Sequence, residues 1–200
     1  MLSARANVPG LDSQGPLLLG DIRRSRANSS RNGLLGSIAP ALAPEKFEGL
    51  WCTSYIYEDA HHVDVTSVTV ANGALTARNT PPAPRTEGRA MGFHNDINFS
   101  VVGRHLIGQW LNTSDSYYFG SLHLAALPGE TVLDGMYSAI VSDSKVVAGR
   151  WRWVRIEPRT ALGIDLTTVS LADPNRLHSM IFEHDPYSRP IPLAEILEEP

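Results

Sequence analysis

The sequence predicts an all-β chain: an antiparallel, eight- to nine-stranded meander closed into a small barrel, with a short helical C-terminal appendage. Three observations carry this expectation. Residues 47–157 break into short runs rich in β-branched and aromatic residues, separated by turn signals at close spacing. Consecutive runs are joined by short connections, which favours sequential antiparallel pairing. The pattern Gly-x-Trp/Tyr recurs four times inside the runs, at Gly49-Leu50-Trp51, Gly108-Gln109-Trp110, Gly135-Met136-Tyr137 and Gly149-Arg150-Trp151. Residues two apart share a strand face, so each motif sets a glycine gap beside a large ring. A tightly curled sheet with rings filling its interior needs that combination.

Residues 1–45 are rich in Gly, Pro, Ser, Asn and Arg and hold no sustained period, the composition of a disordered arm. Residues 46–158 are assigned to the barrel. Phe47–Tyr57 is its first strand, and His62–Ala71 its second. Asn72-Gly73, a strong hairpin signal, leads into Ala74–Asn79. Thr80–Glu87 contains Pro81, Pro82 and Pro84, cannot enter a central strand, and is expected as a loop at the mouth or edge. Arg89–Phe93 and Asp96–Val102 follow as short strands. Turns at Gly103-Arg104, Thr113–Ser116, Pro128-Gly129 and Ser142–Ser144 then introduce His105–Asn112, Tyr117–Leu127, Thr131–Val141 and Lys145–Glu157. Closure of this meander removes its edges. Residues 159–200 read as a partly helical acidic tail. Asp173-Pro174 is an N-cap followed by proline at the first helical position, opening a helix to about Glu183, and Pro192–Glu199 reads as a second acidic turn. The tail is too apolar for pure disorder and is expected to dock, on its own barrel or on a partner.

The last strand sets the orientation. Trp151, Trp153 and Arg155 share one face, and Arg150 and Arg152 the other. Placing the tryptophans inside and this arginine pair toward solvent avoids burying unpaired charge. The same logic turns Gly49, Trp51, Thr53, Tyr55 and Tyr57 inward and Cys52 outward. The interior then holds rings with scattered polar groups, the general composition of a small-molecule pocket.

Composition narrows the alternatives. The chain of 200 residues carries a net charge of −4, and its single Cys52 excludes an intrachain disulfide, which points to a reducing, cytoplasmic setting. Residues 1–45 carry +2, residues 46–158 carry −2 and residues 159–200 carry −4. No segment has the basic density of a nucleic-acid footprint, and no apolar run approaches the ~18 residues of a membrane helix, so neither nucleic acid nor membrane is expected as a partner. Arg outnumbers Lys fifteen to two, read as genomic composition before anion recognition. Sequons at Asn28, Asn98 and Asn112 lack a signal peptide to give them meaning.

Over roughly residues 47–157 the chain resembles the lipocalin-like, or calycin, barrels. The resemblance rests on Gly49-Leu50-Trp51 at the opening strand and Arg155 at the closing strand. It implies that Trp51 and Arg155 lie against each other and close one end, and that the barrel holds a small apolar or conjugated ligand. A few members of that group isomerise or cyclise what they bind.

The residues expected to line a ligand site are Thr53, Tyr55, Trp110, Asn112, Tyr137 and Trp153. An eight-stranded barrel is just wide enough to be plugged by side chains or to hold one small ligand, and this many rings leave both outcomes open. His61, His62 and Asp64 form the one compact cluster of ligand type, but they lack spaced metal partners and read as a solvent-facing strand start. Cys52 has no base placed beside it, and no Gly-x-Ser-x-Gly elbow exists. His94, Asn95 and Asp96 read as turn residues. No phosphate-binding glycine motif exists, and no cofactor or metal is expected. The sequence therefore predicts non-enzymatic binding of a small molecule. Two alternatives stand beside it: a filled barrel whose residues 159–200 bind a protein partner, and a barrel isomerase or cyclase using Tyr or His as proton donor.

Overall fold

Eight antiparallel strands follow one another around a closed barrel in the order of the chain, as the meander predicts. The computed structural model describes residues 41–80, 93–142 and 145–198. The strands are β1 (Gly49–Tyr57), β2 (Ala60–Ala71), β3 (Ala74–Thr80), β4 (Asn95–Val102), β5 (His105–Asn112), β6 (Phe119–Ala126), β7 (Val132–Ser142) and β8 (Lys145–Arg155). The barrel closes by pairing β1 with β8, which sets Trp51 opposite Arg155, Thr53 opposite Trp153 and Tyr55 opposite Trp151. The expected strand at Arg89–Phe93 and the proline-rich loop from Pro81 lie almost wholly outside the described residues; Phe93 is described and is not in a strand.

Three of the four motif glycines, Gly108, Gly135 and Gly149, mark close approaches, and so does Gly120 outside the motifs. A Cβ on Gly120 would sit 1.7 Å from the Ser138 carbonyl oxygen and 2.8 Å from Trp110 Nε1. That absent side chain is what lets the Trp110 indole cross to Ser138. On β8, a Cβ on Gly149 would meet the Tyr137 ring at 2.7 Å.

The interior core gathers Phe47, Trp51, Tyr55, Phe99, Trp151 and Trp153 with buried aliphatic residues from β2 through β7. At one end a 3-10 turn, Pro44–Phe47, is fastened over the opening. Trp51 Nε1 donates to the Phe47 carbonyl at 2.9 Å. Arg155 lies over the Trp51 ring, 4.6 Å from its centroid, and its guanidinium donates to the carbonyls of Glu48 and Lys46. The expected Trp51–Arg155 contact is therefore present, completed by the 3-10 turn.

The tail packs on the outer wall. Helix α1 (Pro174–Glu183) begins where the Asp-Pro signal placed it, with the Asp173 side chain accepting from the amides of Asn175 and Arg176. Leu171, Leu177, Ile181, Ile191, Leu193 and Ile196 meet Cys52, Val63, Val65, Val154 and Ile156 in a second, aliphatic core. Short bridges between Ile156 and Ile191 and between Leu171 and Leu197 tie the tail down.

Two orientations need correction. Arg152, expected in solvent, is buried: the tail covers it, and it donates to the carbonyls of Ile181 and His184 and to Asp134 at 2.7 Å. Cys52 does face outward, but beneath the same tail, where burial pushes its thiol far above the usual range. The strand start at His62–Asp64 is likewise not solvent-facing. Both side chains pair inward, opposite Tyr55 and Thr53, because β2 keeps the register that puts β1's rings inside.

Candidate functional site

Among the described residues, the end of the barrel reached by the β1–β2 turn and the β5–β6 loop is open. A cavity of about 310 Å³ occupies it, at the small end of the ~300–1,000 Å³ range of ligand pockets. Its wall carries seven rings, from Tyr55, Tyr57, Phe93, Trp110, Tyr118, Tyr137 and Trp151, with Asn95, Asn112, Glu58, Ala139 and Val141 between them.

The rings are held by one another and by the backbone. Tyr55, Tyr137 and Trp151 form an edge-on triad with centroids 5.4, 5.4 and 6.1 Å apart. Tyr137 donates its hydroxyl to the Ile56 carbonyl at 2.8 Å. Trp110 donates to the Ser138 carbonyl at 3.1 Å. Asn112 accepts from the amides of Ser114 and Asp115, so its side chain shapes the β5–β6 loop. His62 stacks on Tyr55 at 5.1 Å and on Phe93 at 5.2 Å. Below the cavity Trp153, fully buried, contacts Trp151, Trp51 and Phe99 and continues the aromatic core beneath the lining residues.

Of the six residues expected from sequence to line a ligand site, Tyr55, Trp110, Asn112 and Tyr137 border this cavity. Thr53 and Trp153 do not. Thr53 belongs to a buried polar knot in which Thr53, Thr66 and Asn79 all donate to Asp64, at 2.8, 3.0 and 2.9 Å. Burial pushes the Asp64 carboxyl up to about 7 against the lowering effect of those three donors. Sequence reasoning missed Trp151 and Asn95 as lining residues. Strand alternation carried the signal for both, since Trp151 shares a face with Trp153 and Asn95 with Ile97 and Phe99. Asn95 had been read as a turn residue, whereas it opens β4 and is buried. Phe93, Tyr118 and Glu58 sit in connections, where no periodicity could point to them.

Apart from Glu58, the titratable side chains at the site are neutral ones. Burial, Asp64 and Tyr137 raise the Tyr55 phenol well above its ordinary value, and burial chiefly raises Tyr57 and Tyr137. Burial lowers His62. All four remain uncharged at neutral pH, which suits ring contact with a bound molecule better than proton abstraction. No group of three or more His, Cys, Asp or Glu able to hold a metal occurs among the described residues. On the outer wall, a polar groove along β2–β4 is spanned by the Arg78–Asp96 pair and carries no aromatic side chain.

No helix among the described residues is long and apolar enough to cross a membrane. In comparisons with known proteins, no family model, no curated protein and no solved structure matches this chain.

Proposed function

We propose that this chain binds a small molecule non-covalently in the open end of its barrel, in the manner of the lipocalin-like proteins it resembles, as a sensor or carrier. One observation carries the reading: a cavity of about 310 Å³ walled by seven rings, of which Tyr55, Tyr137 and Trp151 pack edge-on and Tyr137 and Trp110 are hydrogen-bonded to backbone carbonyls. Anchored rings cannot collapse into the space, so it stays available without a conformational cost on binding. Tyr55, Trp110, Asn112, Tyr137 and Trp151 are the contacts to expect. Enzymatic turnover is the weaker reading, because the hydroxyl of Tyr137 is already donated to a carbonyl and Tyr55, Tyr57 and His62 are held neutral. A partner-binding tail is weaker too, since the apolar residues of α1 are spent on the barrel wall.

Native mass spectrometry of the purified chain, followed by denaturing extraction, tests the proposal. A stoichiometric compound that is lost in Tyr137→Phe or Asn112→Ala, with the fold intact, supports it. An empty protein that gives no thermal shift with any of a set of aromatic fragments overturns it.

A further inference from the structure

We infer that the cavity takes a flat, singly charged organic cation of about bicyclic size; the inference rests on the binding reading above and names its ligand class. The first observation is Glu58. The β1–β2 connection is a two-residue turn, Glu58-Asp59, with φ of 49° and 60°. Left-handed backbone at both central positions is the signature of the type I′ hairpin, which selects Asn and Gly. The β2–β3 turn has the same sign pattern, φ 53° and 76°, and there the chain places Asn72-Gly73. One barrel thus closes two such hairpins, one with the residues the backbone favours and one with residues it disfavours. Backbone strain of this kind persists where the side chain is needed. Glu58 lines the cavity, and its proximity contributes to raising the Tyr57 phenol.

The second observation is the wall. Seven rings line the space, and ring faces attract a cation within about 6 Å, most strongly where water is excluded. Among the described lining residues Glu58 is the only charged one, and no Lys or Arg is present. A carboxylate or phosphate would find no cationic partner among them, only neutral donors such as the Trp151 indole N–H, and would meet the Glu58 carboxylate. A hydrocarbon would satisfy the rings and make no use of Glu58, which is exposed. A delocalised cation satisfies both. Planarity suits contact with ring walls, and the cavity volume of about 310 Å³ sets the size.

Calorimetric titration of the full chain with three molecules of one shape tests this: N-methylquinolinium, 1-methylnaphthalene and 1-naphthoate. N-methylquinolinium is expected to bind tightest and 1-naphthoate at least tenfold more weakly. Glu58→Asn is expected to raise Tm, because asparagine suits the left-handed turn. It is also expected to weaken N-methylquinolinium about tenfold and leave 1-methylnaphthalene within twofold. Glu58→Gln should weaken the cation in the same way without the gain in Tm. If 1-methylnaphthalene or 1-naphthoate binds as tightly as the cation, or if both variants keep full affinity for it, the cation assignment fails while the binding cavity stands. If none of the three binds the folded protein, the cavity reading fails and this inference with it.

Discussion

The wall made by β1, β2 and β8 has a core on each side, and the two are built from different chemistry. Inside are Trp51, Tyr55, Trp151 and Trp153; outside, beneath the tail, are Cys52, Val63, Val65, Val154 and Ile156. Successive residues of one strand serve the two in turn: Trp51 in, Cys52 out, Thr53 in, Ser54 out, Tyr55 in, all buried. Branched aliphatic side chains adapt to one another and make a seam. Large planar rings meet edge to face and, at the end where no 3-10 turn seals the barrel, leave a space. Aromatic packing holds the fold and opens a cavity in the same stroke, whereas the aliphatic seam only joins two pieces of chain.

The sharpest test of that contrast is inside the barrel. Trp153→Ala empties the core beneath the cavity and should cost about 3–5 kcal/mol in urea unfolding, whereas Trp110→Ala, at the half-open cavity wall, should cost less than half as much. Equal costs would mean that the barrel is filled and the contrast false.

Asp64 supplies the next largest effect. Its carboxyl is pushed up from 3.8 to about 7 by burial. The folded state therefore keeps the proton that the unfolded state has lost, so stability is full below about pH 4, falls as pH rises to about 7, and is level above that. At ~1.4 kcal/mol for each pH unit, the decline is of the order of 4 kcal/mol. Asp64→Asn should lose this slope, so that the stability difference between wild type and variant changes by that amount across pH 4–8; a variant that keeps the wild-type slope would place the titration elsewhere.

The seam answers to Arg152. Arg152→Ala strips donors from the carbonyls of Ile181 and His184 and should cost roughly 1–3 kcal/mol, with lower amide protection in α1 while the barrel strands keep theirs. Barrel strands that loosen equally would show wall and tail to be one cooperative unit.

The smallest effect is acid loosening of the tail. His178 stacks on His61 at 4.0 Å and meets Ser54 Oγ at 2.9 Å; burial and the neighbouring His61 lower its pKa. A histidine lowered in this way contributes stability above its ordinary 6.5 that is lost as pH falls. Protection factors in α1 should therefore drop below pH 6.5 before those of the strands, and His178→Gln should abolish that drop.

Local chemistry made much of this legible. Alternation along β8 placed Trp151 and Trp153 inside, Asp173-Pro174 marked the start of α1 to the residue, and Asn72-Gly73 located a hairpin. Four of the six expected lining residues border the cavity because a strand's face is a property of its own periodicity. Burial on the other face is not. Arg152 and Cys52 read as solvent-facing because β8 and β1 carry no sign that forty residues downstream will cover them, and Asp64 read as exposed because its three donors come from three strands.

The sequence by itself determined the strands, their order, the inward face of the motifs and the helix start, since each depends on residues within a few positions of one another. Tertiary structure alone decided that the rings leave a space at one end. It also decided that Trp153 lies beneath that space while Trp151 borders it, that Glu58 reaches the wall from a strained turn, and that the tail closes on its own barrel. Those outcomes depend on distances between residues far apart in the chain, and such distances exist only once the sheet has curled shut.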